Sequence, residues 1–210
     1  MTENSPHSLD ADCPLYGLVL AGGRGTRLGR DKGELDYHGS PQAAWALRLV
    51  EPFCSGGFVS VRPEQIDTPA YRGLPTILDR GSSAGPASGL AAALQRFPGA
   101  AWLVIAADMP LLTDAVLATL VARRDRSVLA TAYRRRDGMP EPLCAIWEPA
   151  AAALVVSKSA GQGVSLRRLL EAGPARLLDL DDDEALTSVN TAADDARVRD
   201  RLSARAARLM

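Results

Sequence analysis

The stretch Tyr16-Gly-Leu-Val-Leu20, followed at once by Ala21-Gly-Gly-Arg-Gly-Thr-Arg-Leu-Gly-Arg-Asp-Lys32, decides the fold of this chain. Its first five residues are a short apolar run closed by Gly22 and Gly23, the pattern of a strand buried on both faces and so of a parallel sheet. The segment from Ala21 to Lys32 is rich in glycine and in positive charge. Gly22, Gly23 and Gly25 carry no Cβ, so the backbone can turn sharply there and bring its N–H groups against phosphate oxygens. Arg24, Arg27 and Lys32 add cationic donors over the same loop. A loop directly after the first strand lies at the carboxyl edge, where open α/β sheets bind ligands. Its composition describes a cradle for a nucleoside triphosphate. It is not a Walker loop, which needs GxxxxGK followed by Ser or Thr, nor a full GxGxxG fingerprint, because Leu28 falls where the third glycine belongs. P-loop NTPases and Rossmann dehydrogenases are thereby set aside.

Outward from this segment, strands and helices alternate. A helix is expected from Pro41, with Ser40 as N-cap and Ala44, Leu47, Leu49 and Val50 on its apolar face. Strands come next near 58–61 and 76–78, then a helix through 88–94, a strong strand at 101–106, a helix at 114–123 and a strand at 127–132. Residues 128–147 read as two strands joined by a loop with an Asp137-Gly138 turn signal. Helices near 149–157 and 164–172, a short strand at 175–180 and a last helix at 192–208 complete the chain. The alternation predicts right-handed βαβ units, hence a three-layer α/β/α sandwich with a Rossmann-like, mostly parallel sheet. Residues 1–14 are polar, without periodicity, and read as a disordered leader; 15–210 read as a single domain, because no repeat or linker divides them.

Composition limits the chemistry. Among 210 residues, 24 Lys+Arg face 25 Asp+Glu, a formal charge of −1 that offers no general attraction for nucleic acid or an acidic membrane. Phosphate binding must be local. No apolar stretch reaches the roughly 18 residues that a membrane helix needs. Cys13, Cys54 and Cys144 are odd in number and never in CxxC spacing, which argues against a disulfide framework or a cysteine zinc site and for a reducing, cytoplasmic compartment. His7 and His38 make no metal pair and no histidine triad. A metal here should therefore be a hard cation on a carboxylate, such as Mg2+. Asp108 suits that role, because it comes just after the most hydrophobic strand and so enters the cleft that the glycine loop borders. The competing reading makes it the cap of a helix starting near 111–113.

The segment LAGGRGTRLGRDK resembles the LAGGxSxRMGxDK signature of the nucleotidyltransferase superfamily, in particular the MobA-type molybdenum cofactor guanylyltransferases. Further matches come in the same order: Leu78-Asp79, Gly85-Pro-Ala-Ser-Gly89, Ala107-Asp-Met-Pro110, Glu141-Pro-Leu143 and Ser188-Val-Asn-Thr191, over about 16–200. The resemblance implies a GT-A-like nucleotidyltransferase sheet and transfer of GMP from GTP to molybdenum-bearing molybdopterin, releasing pyrophosphate. It implies Lys32, Arg27 and Asp108 as catalytic residues, with Asp108 holding Mg2+. Nucleotide contacts are implied for Leu20, Ala21, Gly22, Gly23, Arg24, Gly25, Lys32, Asp79, Gly85 and Asp108, and the pterin side for Asn190, Glu141 and Pro142. Proteins that deliver molybdopterin or mature molybdoenzymes are the implied partners.

LAGG and DMP stand where cytidylyltransferase relatives typically carry LAAG and DQP, which favours GTP over CTP. The alternatives are a cytidylyltransferase, a nucleotidyltransferase for sugar phosphate or cobinamide phosphate, and a silent nucleotide-binding regulator. The chain also departs from the family pattern. The NxNTP ending is Ser188-Val-Asn190-Thr-Ala here, and an Asn expected after the second strand is replaced by Ser60 or Val61.

Several conspicuous residues have plainer readings. Asn190 competes between a site role and capping of the last helix. Arg134, Arg135 and Arg136 are either a solvated hairpin tip or a phosphate contact, and the acidic run from Asp179 to Glu184 reads as a solvated loop. Arginines on the last helix frame an amphipathic docking face around Val198 and Leu202; Trp45, Trp102 and Trp147 are expected in the core.

Overall fold

The computed structural model describes residues 13–22, 30–79, 85–159, 165–180 and 182–207. Seven strands, β1 (Leu15–Leu20), β2 (Gly57–Val61), β3 (Thr76–Leu78), β4 (Ala101–Ala106), β5 (Ala130–Arg134), β6 (Pro140–Trp147) and β7 (Ala175–Asp179), form one sheet in the order β3-β2-β1-β4-β6-β5-β7. Only β6 runs against the rest, pairing antiparallel with β4 and β5, because the 128–147 hairpin turns the chain back on itself. All other pairings are parallel.

Helices α1 (Gln42–Val50), α2 (Pro86–Arg96), α3 (Asp114–Ala122), α4 (Ala152–Ser159), α5 (Leu166–Ala172) and α6 (Ala192–Ala207) close the layers. Strand β4 shows why both faces must be covered: Leu103 and Ile105 pack with Leu47 and Val50 of α1 and Leu117 and Leu120 of α3. Trp102 and Val104, pointing the other way, pack with Leu90 and Leu94 of α2, Val155 of α4 and Leu169 of α5. The helices thus lie on both faces of a mostly parallel sheet, as the sequence predicts.

Local readings need correction. Helix α1 is capped by Pro41, not by Ser40, whose hydroxyl instead accepts from Arg48 at 2.6 Å while Asp36 takes its N–H. Strand β5 starts later than expected because Ser127 folds back onto Asp125, its N–H and hydroxyl both donating to one carboxylate oxygen. The acidic run stays at the surface, as expected, but its described acids find cations there: Asp179 pairs with Arg134 at 2.9 Å, Asp183 with Arg135 at 3.8 Å, and Glu184 with Arg201 at 2.8 Å and Arg205 at 3.2 Å. Trp45 is half-buried and stacks on His38, ring centres 4.0 Å apart. Trp102 and Trp147 are wholly buried, and α6 docks through Val198 on Leu111 and Val189.

Candidate active site

Strand β1 has β2 on one side and β4 on the other, which opens a crevice at their carboxyl ends. Leu20 and Ala106 end these strands in register, and the Ala107 N–H donates to the Leu20 carbonyl at 3.1 Å. Asp108 therefore emerges beside the start of the glycine loop. Lys32, at the loop's far end, opens a 3-10 turn (Lys32–Glu34) whose N-cap is Asp31. Its ammonium lies 2.6 Å from Asp108 Oδ2 and 2.6 Å from Asn190 Oδ1.

Two competing readings are decided by these contacts. Thr113, not Asp108, caps α3, accepting from the Val116 N–H. Asn190 does not cap α6 with its side chain; Thr191 and Asp194 close that end reciprocally, the Asp194 carboxylate accepting from the Thr191 N–H at 2.9 Å and the Thr191 hydroxyl accepting from the Asp194 N–H at 3.2 Å. Asn190 is brought in by the Val189 N–H, which donates to the Asp108 carbonyl at 2.9 Å.

The cleft above β1 and β4 has a volume of about 190 Å³, and Leu20, Ala21, Gly22, Lys32, Asp79, Gly85 and Asp108 all line it. Every described residue of the expected nucleotide set is thus brought together; Gly23, Arg24, Gly25 and Arg27 lie outside the described residues. Of Ser60 and Val61, Ser60 lines the cleft. Gly89 is required beneath it, since a Cβ there would stand 2.5 Å from Ser60 Oγ. Gly85, at φ 155°, holds a backbone conformation that favours glycine and leads into α2. The Ser88 hydroxyl sits 2.6 Å from Asp79 Oδ2 and 2.8 Å from the Gly85 carbonyl, orienting Asp79 at the mouth of the cleft.

Asp108 Oδ1 is buried and has no hydrogen-bond partner among the described residues. A carboxylate oxygen withdrawn from water without a donor costs about 1–3 kcal/mol or more, so this orphaned atom marks a place for a cation or donor. Among the described residues no three His, Cys, Asp or Glu side chains cluster as a metal cage. One hard oxygen ligand suits an ion that keeps its waters and shares substrate phosphates. Thiol chemistry is disfavoured: burial pushes the Cys54 thiol up to about 12 and raises Cys144 further.

The expected pterin-side residues divide. Asn190 reaches Lys32, which lines the cleft. Glu141 is buried, pairs with Arg135 at 2.9 Å and accepts from the Leu143 N–H; Pro142 lines a neighbouring depression together with Pro86 and Leu143, which also border the cleft. Sequence reading missed Arg62, Gln65 and Tyr71, which surround the two ends of the glycine loop. Nothing in their spacing signals this, because they reach the loop across 34 to 44 residues.

Residues 17–178 match the model of the MobA-like NTP transferase domain. The chain is 35% identical over 185 residues to the molybdenum cofactor biosynthesis bifunctional protein of Synechocystis, covering 86% of this chain and 52% of that one. It is 37% identical over 130 residues to the molybdenum cofactor guanylyltransferase of Pseudomonas paraeruginosa, covering 60% of this chain and 64% of that one. The chain thus spans about half the length of the first relative and just under two thirds of the second. Its structure superposes on molybdopterin-guanine dinucleotide biosynthesis protein A of Archaeoglobus fulgidus with a TM-score of 0.73 at 26% identity, covering 90% of this chain and 98% of that one. The glycine loop, the lysine that ends it and the aspartate facing that lysine therefore belong to a member of the MobA-like NTP transferase family.

Proposed function

We propose that this protein is a guanylyltransferase that transfers GMP from GTP to molybdopterin. The observation that carries this reading is the approach of Lys32 Nζ to Asp108 Oδ2, 2.6 Å, beside a carboxylate oxygen that no described residue satisfies. The name of the Pseudomonas relative, a molybdenum cofactor guanylyltransferase, supports the guanylyl transfer, and that of the Archaeoglobus structure, molybdopterin-guanine dinucleotide biosynthesis protein A, supports the acceptor. The three cysteines are free, as a reducing compartment would keep them. Among the described residues no helix is long and apolar enough to cross a membrane.

In the proposed reaction a terminal phosphate oxygen of molybdopterin attacks the α-phosphorus of GTP. One P–O bond forms, the bond to the β-phosphate bridging oxygen breaks, and pyrophosphate leaves with that electron pair. The nucleophile is already anionic, so the protein must position two polyanions in line and offset the charge gathering between them. Lys32 supplies an ammonium for the triphosphate. Asn190, with its carbonyl on Lys32, keeps its amide N–H donors for a phosphate of either substrate. Asp79, steadied by Ser88, accepts from the guanine N1–H and N2–H donors or from ribose hydroxyls. Asp108 would hold Mg2+ through its unsatisfied oxygen, and the bound ion would neutralise phosphate charge.

The test is pyrophosphate release by the purified protein with molybdopterin, comparing GTP, CTP and ATP at fixed Mg2+. Turnover with GTP is expected, and Lys32→Ala should lower it about 10²–10³-fold while leaving the unfolding transition in place. Turnover with CTP alone would overturn the base assignment. Wild-type turnover in Lys32→Ala would remove Lys32 from the reaction.

A further inference from the structure

Four buried or half-buried side chains outside the cleft converge on the two stems of the glycine loop. Gln65, 3% exposed, donates through its amide nitrogen to the Ala21 carbonyl at 3.2 Å and to Asp31 Oδ2 at 2.5 Å. Tyr71, 1% exposed, donates its hydroxyl to Asp31 Oδ1 at 2.5 Å, and the Gly33 N–H donates to that oxygen at 2.9 Å. The other end of Gln65 is fixed as well, its carbonyl accepting from the Arg62 N–H at 2.9 Å. Arg62 then donates from its guanidinium to the Gly22 carbonyl at 2.6 Å. Arg62, Gln65 and Tyr71 all lie in the connection between β2 and β3. One glutamine amide therefore bridges residue 21, where the chain leaves β1, and residue 31, immediately before Lys32.

The packing leaves no slack at the second stem. A Cβ on Gly33 would fall 2.3 Å from the Tyr71 hydroxyl, so the turn that starts at Lys32 lies directly on the tyrosine. An Asp31 carboxylate held by three donors cannot rotate without breaking bonds in a site withdrawn from water. Its position fixes the backbone from which Lys32 projects toward Asp108. We infer that Gln65 and Tyr71 are positioning residues that clamp the two stems of the phosphate loop through Asp31 and so aim Lys32 at the reacting phosphates. The inference rests on the reading of Lys32 as a phosphate ligand. Burial raises the Tyr71 phenol well above its ordinary value, so the donated proton stays in place across the working pH range.

Tyr71→Phe and Gln65→Leu keep bulk and remove the donors, and Tyr133→Phe serves as control. Tyr133 is another wholly buried tyrosine of the same core, whose hydroxyl donates to the Val116 carbonyl at 2.7 Å, away from the loop. Two readouts are taken: hydrogen exchange of the peptide spanning 31–35, and kcat and KM for GTP per folded molecule. The clamp predicts exchange about tenfold faster in that peptide for Tyr71→Phe and Gln65→Leu. It predicts kcat lowered about 10- to 100-fold in both, with KM for GTP changed much less, because misaiming a catalytic group by a fraction of an ångström is felt in the transition state. Tyr133→Phe should leave both readouts at wild type. Wild-type exchange at 31–35 in the two loop variants overturns the clamp, as does equal loss of kcat in Tyr133→Phe. If the wild-type protein fails to turn over GTP, the functional reading fails, and exchange alone decides the clamp.

Discussion

Each end of the sheet carries a cation held against a carboxylate, and the two pairs are built differently. At the amino-terminal edge Arg124 grips Glu148 with two bonds, Nε to Oε1 at 2.7 Å and a second nitrogen to Oε2 at 2.8 Å, with the side chains 9% and 2% exposed. At the carboxyl edge Lys32 meets Asp108 through one oxygen only, and the other oxygen is buried with no partner among the described residues. A planar guanidinium saturates a carboxylate and locks it, whereas a point-like ammonium leaves capacity for another ligand. The first pair is complete as it stands. Among the described residues the second lacks a partner for one oxygen, and that difference is what sets the proposed site apart from a structural ion pair.

The sharpest way to break this comparison is at the structural pair. Glu148→Ala leaves the Arg124 guanidinium buried without its counter-ion, and removing one partner of such a pair should cost about 3–5 kcal/mol. The urea midpoint should fall accordingly while activity per folded molecule stays at wild type. A loss of turnover without a loss of stability would show that the two ends are coupled.

The mirror experiment is Asp108→Asn. It preserves shape and leaves an oxygen for Lys32, yet removes the negative charge that the proposed cation site needs. Turnover should drop about 10²–10³-fold, equivalent to roughly 3–4 kcal/mol of transition-state stabilisation, with little change in the unfolding midpoint. Activity near wild type would return Asp108 to the status of a structural residue.

How much of this contrast the sequence reveals depends on how far apart the partners lie. Strands β1 and β4 are legible because a run buried on both faces has to be apolar and has to end where glycine or aspartate begins. Asp108 follows closely on the end of β4, and Lys32 closes the glycine-rich segment that follows β1. Asn190 is visible as a candidate, but its choice between cleft and helix cap depends on Thr191 and Asp194 closing the helix without it. Gln65 and Tyr71 give no signal, because a single amide and a single phenol become loop anchors only through tertiary placement 34 and 40 residues from Asp31. Ser40 fails as a cap for a related reason: Asp36 and Arg48 have stronger claims on its polar atoms.

Gln42 sharpens the comparison from another direction. It is wholly buried, and neither its amide oxygen nor its nitrogen has a hydrogen-bond partner among the described residues, yet it does not line the cleft as Asp108 does. An orphaned polar group outside a binding cleft is a cost without a use. Gln42→Leu should therefore stabilise the protein by about 1–3 kcal/mol, read as a higher melting temperature, with kcat and KM unchanged.

The smallest effect should come from the most acidic part of the molecule. The run from Asp179 to Glu184 has far more negative charge than the neighbourhood of Asp108, and on charge density alone it is the better place for a cation. Its described acids are already engaged, however: Glu184 is shared between Arg201 and Arg205 on α6, and Asp183 faces Arg135 while accepting from the Arg136 N–H at 3.3 Å. The arginines are 61%, 40% and 26% exposed, so water and salt screen each pair and its net worth is at most about 1 kcal/mol. Glu184→Gln should lower stability by no more than that, an effect that shrinks in 1 M salt, and should leave Mg2+-dependent turnover untouched. A fall in Mg2+ affinity in this variant would mean that the count of acids, and not the unsatisfied oxygen at Asp108, decides where the metal goes.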